Sequence, residues 1–401
     1  MADLIYWVWL SSALGEPSKV REILEHFGTV ENFYNANILD WRQSEIFSQN
    51  EIKLLEEQSL SRAEEIVATC EKNNWQIIPY SAENYPERLK NIQNPPAVLF
   101  VDGVFPNVDE KVLVGIVGTR KASDYALRCA EVMACGICEG GGIVVSGGAI
   151  GVDSAAHRGA ISCGGKTLAV LGCGFGTGYL KSNERLRNEI KERGALVTPF
   201  TPHTGATRYN FPLRNRIISG LSLAVLVVEA ALKSGSLITA GTAMSQGKDL
   251  YAVPCSILET KYAGTNKLIS DGANIAINPV DILYPYAEEY GLDLTGLKTS
   301  AEIFAAMRGQ AKNANARIDE ENITFENLTK TREKRAKNRD KAIELGGNAK
   351  VVYDVLTDDF QTIGEIVEKC ALPLPAVLSA LTILEINNIA VNAGGKRYRL
   401  S

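Results

Sequence analysis

Between residues 76 and 290, short unbroken apolar runs alternate with helical stretches that open on glycine. No other feature of the chain constrains its fold as tightly. The runs are VLVGIVG, GIVVSG, TLAVLG, ALVTPF, LAVLVVEA, DLYAVP and ANIAIN. A half-exposed strand alternates apolar and polar residues, whereas a continuous apolar run suits a strand of a parallel sheet covered by helices on both faces. The expected architecture is therefore α/β: an extended, Rossmann-like, doubly wound sheet whose ligands bind at the carboxyl ends of the strands.

At 401 residues the chain is too long for one ordinary domain. Residues 1–75 read as several short helices (SKVREILEHF, IFSQNEIKLLEEQ, LSRAEEIVATCEKN), a small domain of SAM-like or helix–hairpin–helix-like type. Residues 76–290 carry the sheet. Residues 291–345 are polar and charged and read as a linker, with an auxiliary polyanion contact as the alternative for the basic run KTREKRAKNRDK. Residues 346–401 read as three helices and a hairpin turning at Gly394-Gly395, which is a winged helix. Thr362 and Glu365 stand in capping-box spacing at its second helix. Its third helix lacks basic residues, which argues against reading a major groove, while Lys396, Arg397 and Arg399 on the wing leave backbone contact with DNA open beside protein interaction.

No run of 18 apolar residues occurs, and LIYWVWLSSALG follows an acid and reads as a buried helix, so the expectation is a cytoplasmic protein without a membrane span. Cys135 and Cys138 have redox or metal spacing, but they sit in an apolar helical stretch with no second pair. They read as reduced core cysteines, and no metal or cofactor is expected. The net charge of −5 means that any affinity for polyanions must be local.

That locality is visible in TRYNFPLRNRIISGLS, where Arg208, Arg214 and Arg216 occur without an acid, just before the run LAVLVVEA. Arginine clamps phosphates, and the aromatic Phe211 offers a face for a base. Other strand-end loops bring matching groups. Gly118, Thr119 and Arg120 follow the first run. Ser146, Gly147, Gly148 and Gly151 follow the second and lead into a helix whose free N–H groups favour an anion. Lys181 follows the third run. Asn215 lies between the two arginines, and Ser234, Gly235 and Ser236 open a helix closed by Lys248. All are expected to converge on one sheet edge. No G-x-G-x-x-G follows the first strand, which argues against a dinucleotide site. Asp153 and His157 could form an acid–base pair. Helix-dipole complementation by Asp153 and a local hydrogen bond from His157 explain them better. No nucleophile–base pair is found, so no catalytic residue is assigned and binding is favoured over bond breaking.

Taken together, YPERLKNIQNPPAVLFVDG, VGIVGTR, SGGAIGVDSAAHRGA, TLAVLGCG, FPLRNRIISGLSLAVLVVEA, SGSLITA and GTNKLISDGANI resemble the DNA-processing protein A (DprA/Smf) family over about residues 85–285. The resemblance implies a non-catalytic, homodimeric mediator of natural transformation that binds single-stranded DNA, protects it and helps load RecA. Its basic pocket would comprise Arg120, Lys181, Arg214, Arg216 and Lys248 with the glycine loop at 146–151. The chain departs from the family pattern at Leu180, at Cys255 and in GEPSK, which lacks the usual Gly-Ile-Gly turn. The alternative is a Rossmann-like enzyme acting on a free nucleotide, for which Glu229 would be the carboxylate.

Overall fold

The computed structural model describes residues 2–178, 183–307, 338, 341–357, 361–392 and 397–400. Two compact units divide at residues 316 and 317.

The first unit opens with six helices: α1 (Ala2–Leu14), α2 (Val20–Phe27), α3 (Val30–Asn35), α4 (Ile38–Gln43), α5 (Gln49–Glu57) and α6 (Leu60–Lys72). Local chemistry sets their starts. Thr29, Asn37 and Ser48 each accept a backbone N–H as N-caps, and Asp40 and Glu51 complete capping boxes. Trp7, Trp9, Leu10, Phe33, Trp41 and Phe47 fill the core, so the apolar N-terminal run is a buried helix.

A nine-stranded sheet follows. β1 (Gln76–Pro79) and β2 (Val98–Gly103) are joined through α7 (Glu87–Lys90). The seven apolar runs supply β3 (Leu113–Val117), β4 (Ile143–Ser146), β5 (Thr167–Val170), β6 (Ala195–Thr198), β7 (Ala224–Val227), β8 (Asp249–Ala252) and β9 (Asn274–Ile275). Their connections include α8 (Asp124–Glu139), α9 (Val152–Ser162), α10 (Glu184–Arg193), α11 (Asn210–Leu221), α12 (Gly235–Ser245) and α13 (Ala263–Ser270). The short helices α14 (Pro279–Leu283), α15 (Ala287–Tyr290) and α16 (Ser300–Met307) complete this unit. The strand order is β1-β2-β6-β5-β4-β3-β7-β8-β9. The seven expected strands are parallel, and β1 and β2 add an antiparallel margin.

Burial on both faces explains the uninterrupted apolar runs. Along β3, Leu113 and Val117 join Ile217, Ile218 and Leu221 of α11 on one face, while Val114 and Ile116 meet α8 and α9 on the other. The N-terminal helices pack on the margin, sharing their core with Val98 and Phe100 of β2.

In the second unit, α17 (Gly347–Val355), α18 (Ile363–Cys370) and α19 (Leu374–Ile386) enclose Val352, Ile366, Val377, Leu381 and Leu384. β10 (Gln361–Thr362), β11 (Ala390–Asn392) and β12 (Arg397–Leu400) form an antiparallel sheet in the order β10-β12-β11. The Thr362–Glu365 capping box is present. The expected turn at Gly394-Gly395 lies outside the described residues, as do Lys396 and most of the basic run at 330–341.

Candidate functional site

The sheet order fixes where a ligand can enter. After β3 the chain winds outward through β4, β5 and β6, then crosses back so that β7 pairs with the other side of β3. The loops after β3 and β7 therefore diverge to opposite faces and leave a crevice at their carboxyl ends. A cavity of about 350 Å³ lies there, lined by Gly118, Thr119 and Arg120, by Ser234, Gly235 and Ser236, and by Phe211, Arg214 and Asn215 of α11. Three separate sequence stretches thus meet at one place.

Backbone proximity builds the floor. Gly151 has φ of 84°, and a Cβ there would stand 2.4 Å from the Thr119 carbonyl oxygen, so only glycine lets α9 start against the end of β3. A Cβ on Gly147 would lie 2.5 Å from Arg214 Nη1 and 2.5 Å from Asp153 Oδ2. On the β7 side, Ser234 caps α12 by accepting the Ser236 N–H at 3.3 Å.

The two arginines at the pocket have different roles. Arg120 is exposed, with its guanidinium carbon 4.6 Å from the centroid of the Phe211 ring. Arg214 is buried. Its Nη1 donates to the Gly147 carbonyl at 2.5 Å and to the Val170 carbonyl, and its Nε donates to Asn215 Oδ1 at 3.0 Å. It braces α11 against the ends of β4 and β5. Phe211 packs on the backbone at Gly172, where an added Cβ would touch the ring at 3.0 Å, and stacks with Arg120. Phe211 thus lies between the Gly172 backbone and the Arg120 guanidinium.

Asp153, which the sequence reading left out of the site, also lines the cavity. Burial raises its pKa, while Arg214, the Ala149 N–H and Arg120 oppose the rise. The available signal was its position in the first turn of a helix leaving a glycine loop, which aims a carboxylate at the strand edge. Its neighbour His157 is fully buried, with Nδ1 2.7 Å from Thr167 Oγ1, and burial lowers its pKa to about 3. It packs away from the cavity.

Several expected site residues lie elsewhere. Arg216 pairs with Glu16, whose side chain is buried at the turn between α1 and α2, and donates to the Gln93 carbonyl at 3.4 Å. Lys248 precedes β8, so it stands at the amino-terminal edge of the sheet, near Arg88 and Asp109; burial lowers its pKa. Ser146 is buried and donates to the Ile116 carbonyl at 2.6 Å. Gly148 borders a smaller cleft with Gly172 and Arg187, and its carbonyl accepts from Asn183 Nδ2 at 3.2 Å. Lys181 and Leu180 lie outside the described residues. Cys255 does not line the cavity; Asn266 holds its loop by hydrogen bonds at 3.3 and 3.2 Å. Glu229 is buried and accepts from the Ser123 N–H and hydroxyl at the start of α8, so this carboxylate is turned from the cavity to a capping task. Among the described residues, no group of three or more histidine, cysteine or acidic side chains could hold a metal ion.

Residues 76–287 match the family described as DNA recombination-mediator protein A. The chain is 37% identical over 226 residues to the DNA processing protein DprA of Bacillus subtilis, covering 56% of this chain and 76% of that protein. It is 40% identical over 214 residues to Protein Smf of Escherichia coli, covering 53% and 57% respectively. Among solved structures, the X-ray structure of DNA processing protein A from Streptococcus pneumoniae superimposes with a TM-score of 0.59 at 30% identity, covering 69% of this chain and 95% of that one.

Proposed function

The chain belongs to the DNA recombination-mediator protein A family, and on that premise we propose that it binds single-stranded DNA in the cavity between the ends of β3 and β7. In this reading it is a cytoplasmic, non-catalytic homodimer that protects incoming strands during natural transformation and loads RecA.

The observation that carries the reading is the Arg120–Phe211 stack beside the Ser234–Ser236 helix start, all lining one cavity. A solvent-facing guanidinium can pair with a phosphate and present its plane to an unstacked base. The Ser236 hydroxyl at that helix start can donate to a second phosphate oxygen. A duplex keeps its bases stacked inside, so this combination favours a single strand.

The homodimer rests on β9, a two-residue strand at the sheet margin that contains exposed Ile275 and is followed by exposed Ile277. An open edge with apolar neighbours invites pairing with a second chain. Residues 346–401 are read as a winged helix joined through a linker at 291–345. α19 has no lysine or arginine and leaves Leu374 and Ile386 exposed, which suits a protein contact such as RecA better than a DNA groove.

The test is fluorescence anisotropy with single- and double-stranded oligonucleotides over a salt series. Wild type should prefer the single strand, with log K falling against log salt by about 0.7 per phosphate neutralised. Arg120→Glu should weaken binding by at least about tenfold, the loss of roughly one charge-assisted contact, with an unchanged urea midpoint because Arg120 is exposed. Equal affinity for both forms, or an unaffected variant, would remove the basis for the proposal.

A further inference from the structure

Three of the eight cysteines gather at one place, at the opposite end of α8 and α9 from the proposed DNA site. Cys135 and Cys138 stand three residues apart on α8 and so share a helical face. Cys163 directly follows α9. Its sulfur lies 3.4 Å from the Cys135 carbonyl oxygen and 3.2 Å from the Ala160 carbonyl oxygen, and its side chain packs against the cluster that holds Cys135. The backbone of the same turn presses on Cys138. A Cβ added at Gly165 would lie 2.3 Å from Cys138 Cβ and 2.5 Å from its sulfur, so the glycine permits the approach.

The chemistry of this group differs from that of the other thiols. Burial pushes Cys70 and Cys255 up to about 12, which makes them inert packing groups. Cys163, by contrast, has further thiols beside it, on the facing turn of α8. It is also only half-buried, so a small oxidant can reach it, whereas Cys135 lies beneath it against Val132 and Ile303. A reachable sulfur packed beside a sheltered resolving thiol is the arrangement that oxidises to a disulfide instead of overoxidising.

We propose that Cys163 and Cys135 form a reversible disulfide in response to peroxide. The Cys163 thiolate attacks one oxygen of hydrogen peroxide. The O–O bond breaks, hydroxide leaves and takes up a proton, and Cys163 becomes a sulfenic acid. The Cys135 sulfur then attacks the Cys163 sulfur; the S–S bond forms, the S–O bond breaks, and the thiol proton leaves with the hydroxide as water. In sum, two thiols are oxidised and one peroxide is reduced to two waters. A dithiol reductant reverses the bond by exchange.

The site can be read directly in the full-length protein. After peroxide treatment, alkylation and trypsin without reduction, residues 129–158 should be joined to residues 159–166, because Arg128, Arg158 and Lys166 bound those peptides. Fragmentation of the joined pair should place the bond at Cys135 and Cys163. Thiol titration of the denatured protein should fall from eight groups to six and recover with dithiothreitol. Cys163→Ser should abolish the joined pair, and Cys138→Ser should retain it. Eight thiols surviving peroxide, sulfinic or sulfonic acid at Cys163 without a joined pair, or a bond at Cys129 or Cys138 in place of Cys135 would each overturn the proposal. The wild-type map decides the matter even if a variant fails to fold.

Discussion

At the scale of single residues, helical geometry separates side chains that look equivalent in sequence. Arg214 and Arg216 are two positions apart on α11, and each residue advances a helix by about 100°, so their side chains leave on nearly opposite sides. One side faces the glycine loops, where Arg214 braces two carbonyls; the other faces the α1–α2 turn, where Arg216 meets Glu16. The basic cluster is therefore not a clamp with three teeth. Arg216→Ala should lower stability by about 3–5 kcal/mol at pH 8, the cost of stranding a buried charge, while the folded fraction keeps its affinity for a single-stranded oligonucleotide. Urea denaturation beside anisotropy checks both halves of this expectation. A large loss of affinity with unchanged stability would mean that Arg216 touches DNA after all. Phe211→Ala should instead weaken oligonucleotide binding by about 1–3 kcal/mol, the worth of one stacking platform.

At the scale of elements, what was legible followed from burial. The seven parallel strands announce themselves because both faces are covered, as Val114, Ile116, Val144 and Val145 show by having no solvent contact. β1 and β2 are less visible because their pairing is antiparallel and nonlocal. Gln76–Pro79 is four residues long and gains its place only by meeting Val98–Val101. The site was legible as a set of loops but not as a set of directions. Gly118, Arg120, Phe211 and Ser234 converge as expected, since every loop after a parallel strand leaves at the same edge. Lys248 misses because α12 runs back across the sheet and delivers the residue after it to the far edge. The edge strand β9 gives a prediction at this scale. Ile275→Lys should convert a dimer to a monomer in light scattering, because a charge on an open edge blocks strand pairing. A wild-type chain that is already monomeric at micromolar concentration would dispose of β9 as the contact.

For the whole molecule, the net charge of −5 conceals opposing buried groups that shape stability as pH changes. Burial raises Glu16 to about 7 despite Arg216, and burial lowers His157 to about 3. Between about pH 4.5 and 7 the folded chain holds a proton on Glu16 that the unfolded chain has released, so this group makes stability fall as pH rises. Between about pH 3 and 6.5 the unfolded chain holds a proton on His157 that the folded chain excludes, so this group makes stability rise with pH. The two slopes are of opposite sign and each is about 1.4 kcal/mol per pH unit at most. They oppose each other where the windows overlap, from about pH 4.5 to 6.5, with Asp153, whose pKa is also raised by burial, adding to the fall. The wild-type urea profile should therefore be nearly flat across that interval. Glu16→Gln removes one slope and should expose the other, adding up to about 3 kcal/mol of stability between pH 4.5 and 6.5. His157→Gln should do the reverse, leaving a profile that declines toward pH 7. Urea denaturation at pH 4.5, 5.5 and 6.5 distinguishes the cases. A Glu16→Gln profile that rises in parallel with wild type would mean that Glu16 stays ionised beside Arg216 throughout, and that the pair is a permanent ion pair between the N-terminal helices and α11.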